Sequence, residues 1–169
     1  MVPCTVLLSG ETRPFPGEAV RFRPAAYGLY VRDDRILLGR SKFTARWDIP
    51  GGGVEAWETL EEGLTREFWE ETGVRVAAIR LIEFREGFIA FIQHPFHSLR
   101  YYYSVSGTEP ANETLCPDRE EVSSVHWVGL SDIDPGECAP GDYALIARVL
   151  TREGERPNGT DGPRDFTLG

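Results

Sequence analysis

Glu67, Glu70 and Glu71 stand at i, i+3 and i+4 in the run Arg66-Glu67-Phe68-Trp69-Glu70-Glu71-Thr72-Gly73. On an α-helix that spacing gathers three carboxylates on one side, about 5–6 Å apart between Cβ atoms. Like charges so placed repel and destabilise an isolated helix, so something positive belongs among them. A hard divalent cation answers that need, because Mg²⁺ takes oxygen ligands. The competing explanation is a solvated helix face, which is what most charge runs are. Glu61 and Glu62 fit it. Glu67 and Glu71 share a side with the apolar residues, where carboxylates rarely go without a partner or a metal.

The helix that must carry them is well marked. Thr59-Leu60-Glu61-Glu62 reads as a capping box, with Thr59 as N-cap and Glu62 at N3. Gly73 falls where a left-handed C-terminal residue belongs. Leu60, Leu64 and Phe68 recur every four residues and form an apolar stripe. Arg66 lies one turn before Glu70, within reach of the carboxylates.

These residues resemble the Nudix hydrolase box, G-x5-E-x7-R-E-U-x-E-E-x-G-U with U a bulky apolar residue. Gly52, Glu58, Arg66, Glu67, Phe68, Glu70, Glu71, Gly73 and Val74 meet every constrained position. The flanks are similar as well: Trp47-Asp48-Ile49-Pro50-Gly51-Gly52 resembles the strand and Gly-rich lead-in, and Val125-His126-Trp127-Val128 the late strand. The resemblance implies an α/β fold, the α/β/α sandwich with a mixed sheet. Residues 1–153 are expected to form one domain and 154–169 a loose tail.

The resemblance further implies a metal-dependent hydrolase of the MutT-like kind. Such enzymes cleave a phosphoanhydride in a nucleoside diphosphate derivative with Mg²⁺ or Mn²⁺ and an attacking water. Carried over by position, Glu67, Glu70 and Glu71 are the main metal ligands, helped by the Gly51 carbonyl and by Glu55. Arg66 holds a helix carboxylate in place, and Glu58 braces the loop–helix junction. The general base is one of the box glutamates or a later loop residue, for which Glu120 and Glu121 are the candidates. The chain departs from the family at Trp57, where Gly is usual before the second constrained position, and at Gly63, where Ala is common. Trp57 calls the local turn, and with it Glu55, into question. Gly63 costs about 1 kcal/mol relative to Ala and either packs closely or makes room for substrate.

The expected substrate is a small nucleotide, a nucleoside di- or triphosphate. A nucleotide-sugar or other NDP-X hydrolase is one alternative, and a non-catalytic nucleotide-sensing domain another. Arg21, Arg23, Arg40 and Arg46 lie upstream of the box and could meet phosphates, with a plain surface role the better expectation for each. Tyr101, Tyr102 and Tyr103 should alternate across a strand. His94 and His97 fall in an expected loop and make weak metal candidates.

Length and composition suit a single globular domain. The 169 residues are 41% hydrophobic, enough for a core. Twenty-seven acidic against 18 basic residues give a formal charge of −9, which argues against binding polymeric nucleic acid. Cys4, Cys116 and Cys138 are widely spaced and suit free thiols in a reducing cytoplasm. No stretch approaches the roughly 20 apolar residues of a membrane span, and the family's habit of pairing makes a homodimer an expectation. Strands are expected at 5–9, 25–31, 36–38, 74–84, 88–92, 99–105 and 124–128. Loops are expected at 11–18 and 106–121, and a second helix at 143–150 with Asp142 as N-cap.

Overall fold

The computed structural model of the chain describes residues 1–108, 121–139 and 141–154. Two sheets carry the fold. The larger has six strands in the order β2 (Thr12–Phe15), β1 (Val2–Val6), β8 (Arg75–Phe91), β9 (His94–Thr108), β3 (Arg21–Leu29) and β7 (Gly51–Gly53). It is mixed: β1 runs parallel to β8 and β3 parallel to β9, and the other pairs are antiparallel. The smaller has the order β10 (Val122–Gly129), β5 (Arg35–Ser41), β4 (Val31–Arg32), with β6 (Trp47–Asp48) also paired to β5.

Each helix covers its own hydrophobic cluster. Helix α1 (Leu60–Thr72) buries Leu64 and Phe68 against Ala26, Leu37, Val76 and Val105. Helix α2 (Asp142–Gly154) buries Leu145 and Ile146 in a second cluster with Leu29, Ile36, Leu38 and Tyr102. Both clusters draw on both sheets, which gives the expected α/β/α sandwich.

The ends of α1 are as the sequence requires. The Thr59 side chain accepts from the Glu62 N–H at 3.2 Å, and the Glu62 carboxylate accepts from the Thr59 N–H at 2.8 Å. Gly73 closes the helix at φ 73°, ψ 3° and donates its N–H to the Trp69 carbonyl at 2.8 Å. At Asp33-Asp34 both residues take positive φ, 48° and 59°, which suits the tight hairpin joining β4 to β5.

Several sequence expectations need correction. Residues 12–15, expected in a loop, form β2 because their backbone pairs with β1. The first strand ends at Val6, where a turn begins. The two strands expected at 74–84 and 88–92 are one long strand, β8, which absorbs its irregular pattern in register shifts between Ala78 and Arg80 and between Leu81 and Glu83. His94 and His97 belong to β9, not a loop; ladder pairing with Phe91 and Phe88 overrides the Pro95 between them. Asp142 lies within α2, and its carboxylate bonds Arg85 at 2.7 Å. Of the loop expected at 106–121, residues 106–108 instead complete β9 and 109–120 lie outside the described residues; of the tail expected at 154–169, Gly154 ends α2 and the rest lies outside them.

Candidate active site

Arg66 organises the carboxylates. Its Nε and Nη2 donate to the two oxygens of Glu58 at 2.7 and 2.8 Å, and Nη2 also donates to the Gly53 carbonyl at 3.0 Å. Its Nη1 reaches Glu67 at 2.8 Å and Glu70 at 3.2 Å. One planar guanidinium thus ties the lead-in strand β7, the junction residue Glu58 and the acidic side of α1 together. Glu58 also accepts the Glu55 N–H at 3.0 Å. These bonds hold the Glu58 carboxyl down at about 2, with the Arg66 hydrogen bond the main cause.

Glu71 has the opposite surroundings. It points inward and accepts the Gly51 N–H at 2.9 Å. Burial pushes its carboxyl up to about 8; the Gly51 bond opposes this, while Glu67, Glu121 and Asp48 push in the same direction. Asp48 is likewise raised to about 6, first by burial. Glu67 is raised by burial, with Arg66 opposing. Asp48, Glu67 and Glu71 thus lie partly buried near one another, with the exposed Glu121 beside them.

The backbone of the lead-in makes room for them. Gly51 has φ 134°, and a Cβ there would lie 2.2 Å from the Ala26 carbonyl oxygen. A Cβ on Gly52 would lie 2.6 Å from a Glu67 carboxylate oxygen. Trp57 is 81% exposed and keeps a negative φ, so the turn forms without the family's usual Gly. Gly63 is buried against Val54, whose side chain would be 2.9 Å from an added Cβ. It is a packing position.

The acidic place is one end of a cleft of about 310 Å³ between the two sheets. Strand register orders its floor. Tyr27 pairs with both Gly51 and Tyr102, which sets this row beside the Glu71 contact. Ala25 and Arg100 form the next inward-facing row, then Arg23 and Ser98, then Phe96 with Ile89. From Tyr102 to Phe96 the floor runs about 20 Å at the usual rise per residue. Arg23 and Arg100 stand between the carboxylates and the apolar far end. Asp48 and Glu121 line the same cleft.

Not every candidate comes to this place. Glu121 does, and Glu120 lies outside the described residues. Glu55 is exposed on the lead-in loop, away from the cleft lining. Arg46 and Arg23 line the cleft. Arg40 instead pairs with Glu137 at 2.6 Å and lies over the Trp47 ring at 3.9 Å, and Arg21 is exposed on β3 outside the lining. Tyr102 faces inward and stacks on Tyr27 at 5.2 Å, whereas Tyr101 packs on Phe84 on the other face. His97 bonds Glu86 at 2.6 Å. Asp48 and Arg100 were not among the sequence candidates. Asp48 sits in the quoted lead-in and could have been found there; Arg100 is placed only by strand pairing.

A divalent cation fits this donor set, which is carboxylate oxygen throughout and crowded with like charge. Among the described residues no three His, Cys, Asp or Glu side chains already close round one point, because Arg66 draws Glu67 and Glu70 while the Gly51 N–H draws Glu71. The Arg66 contacts occupy one oxygen of Glu67 and one of Glu70; each carboxylate has a second.

Fold and site together bring carboxylates and arginines to one cleft. The NUDIX domain family model matches residues 21–149, and the chain belongs to that family. Over 50 residues it is 50% identical to a MutT-like protein from Streptomyces ambofaciens, covering 29% of this chain and 32% of that protein. Over 111 residues it is 34% identical to phosphatase NudJ from Escherichia coli K12, covering 64% of this chain and 65% of NudJ. The chain thus spans about a third and just under two thirds of these relatives' lengths. The crystal structure of a MutT NUDIX hydrolase from Burkholderia pseudomallei matches the fold with a TM-score of 0.57 at 22% identity, covering 76% of this chain and 97% of that one.

Proposed function

We propose that the chain is a Mg²⁺- or Mn²⁺-dependent pyrophosphohydrolase that cleaves a phosphoanhydride in a small nucleotide, a nucleoside di- or triphosphate. One observation carries this: the half-buried Glu71, crowded by Glu67, Asp48 and Glu121, opens into the same cleft as Arg23 and Arg100. Carboxylates at one end and cations beside them suit a metal-bridged polyphosphate.

Glu67, Glu70, Glu71 and the Gly51 carbonyl would hold the metal; Glu55, exposed on the lead-in loop, is left out. When bound, the metal neutralises the diphosphate and lowers the pKa of water. Arg66 ties Glu67 and Glu70 together on α1, and the Gly51 N–H fixes Glu71, the one of the three that lines the cleft. Arg23 and Arg100 hold phosphate oxygens. Glu121, its neighbour Glu120 or a box glutamate takes the proton of the attacking water. The water oxygen bonds to phosphorus, the bridging P–O bond breaks, and the leaving phosphate keeps the electron pair.

A cytoplasmic setting belongs to the same proposal. Cys4 and Cys138 are buried free thiols, and no helix among the described residues is long and apolar enough to cross a membrane. The test is a panel of nucleoside di- and triphosphates, NDP-sugars, ADP-ribose and dinucleoside polyphosphates, assayed with Mg²⁺, with Mn²⁺ and with chelator. Metal-dependent phosphate or pyrophosphate release is expected. No release across the panel would overturn the proposal.

A further inference from the structure

The end of the cleft away from the carboxylates is built partly from residues outside the family match. Strand β1 lies before residue 21, where that match begins. It runs parallel to β8, with Thr5 opposite Ile89 and Val6 opposite Ala90, and the Leu7 N–H donates to the Ala90 carbonyl at 2.9 Å. Cys4 and Val6 are buried beside Ala90, with Val2 and Phe15 packed against them. This small core anchors the hairpin and delivers Leu7 and Leu8 to the cleft lining. Opposite them the loop after β5 supplies Phe43, whose ring meets Phe91 edge-on at 5.4 Å.

Leu7, Leu8 and Phe43 are 37%, 38% and 55% exposed. Large apolar side chains left open at the mouth of a cleft mark a place where an apolar surface is to be covered. The occupant must also carry phosphate, since Arg23 and Arg100 separate this mouth from the acidic end. The Nε of Arg100 is buried with no hydrogen-bond partner.

We infer that Leu7, Leu8, Phe43 and Phe91 form a specificity wall that receives the nucleobase of a nucleotide whose diphosphate lies along Arg23 and Arg100. This rests on the proposed function and names what its substrate carries. A nucleobase has apolar faces and polar edges. Its faces would lie against the Leu and Phe side chains, and the open mouth would leave its edges in water. A sugar in the same place would set many hydroxyls against four side chains that offer no hydrogen bond. A long alkyl chain would remain half in water. Because the wall has no polar side chain, it selects for a flat ring rather than for one particular base.

The test is equilibrium titration, in the presence of Mg²⁺, with the methylene-bridged analogue of ADP and with methylenediphosphonate, which lacks the base. Neither is hydrolysed, so binding is read apart from chemistry. The wild-type chain is expected to bind the ADP analogue at least about tenfold more tightly than methylenediphosphonate, and the double variant Leu7→Ser/Leu8→Ser to lose most of that preference. Phe43→Ser, made from the opposite wall, should act in the same direction. Thermal melting of each variant checks folding. An unchanged preference in both variants overturns the inference. So does an equal loss for the two ligands, the absence of any preference in the wild type, or tighter binding of a prenyl diphosphate than of the ADP analogue. If the preference is present and lost as expected but no phosphoanhydride is cleaved, the proposed activity fails and the wall stands. If cleavage occurs with an unchanged preference, the wall alone fails.

Discussion

Glu58 and Glu71 lie at opposite ends of one loop-and-helix unit, and their surroundings differ in kind. Glu58 has both oxygens on Arg66 and a backbone N–H besides, and its carboxyl sits at about 2. Glu71 sits among Glu67, Asp48 and Glu121, and burial drives it to about 8. The guanidinium takes both oxygens of Glu58 but only one each of Glu67 and Glu70. The brace is thus fully engaged, whereas the proposed ligands on α1 keep an oxygen for a cation. Glu71 lies near further carboxylates, where an external cation would gain most by binding.

The largest test of that contrast is Glu71→Gln. Turnover should fall at least about a hundredfold, while the melting temperature stays level, because the amide oxygen can still accept the Gly51 N–H and a carboxyl held up at about 8 carries little charge at neutral pH. A parallel loss of activity and stability would show that Glu71 is structural. Arg66→Met should do both kinds of damage. It leaves Glu58, Glu67, Glu70 and the Gly53 carbonyl without their shared donor, costing roughly 1–3 kcal/mol by denaturant unfolding, and activity falls with it.

Acid unfolding separates the two glutamates by sign. The folded-state value of Glu58 is depressed from 4.5 to about 2. Its contribution is therefore fully present above about pH 4.5 and is lost as the pH falls toward 2. Glu58→Gln should flatten the stability profile over that window. The smallest effect is expected at Gly63→Ala. The helix gains about 1 kcal/mol in propensity, and Val54 must shift from 2.9 Å. The net change in unfolding free energy should stay under about 1 kcal/mol with activity kept.

The same division explains what was legible in the sequence. The cap at Thr59, the left-handed Gly73, the apolar stripe and the three glutamates are relations between residues a few positions apart, and helical periodicity places them. Arg66 could be assigned to a carboxylate for the same reason. Asp48, Arg23 and Arg100 reach the cleft through pairing among β3, β7, β9 and β5, and no local spacing encodes that. Strand β2 carries a proline and little alternation, so only its partner reveals it. The His94–His97 segment looked like a loop because Pro95 is a local signal, and the ladder with β8 outweighs it. Leu7 and Leu8 resembled the end of a first strand and gave no hint that they face a cleft.

The central claim is that the acidic end of this cleft takes up a divalent cation through α1. It is tested most directly by titrating Mn²⁺ into the wild-type chain and into Glu67→Gln, Glu70→Gln and Glu71→Gln, with the methylene-bridged ADP analogue present. Saturable binding in the wild type, weakened at least about tenfold in each variant, is the expected result. No Mn²⁺ affinity in the wild type, or equal affinity in all four proteins, would contradict it.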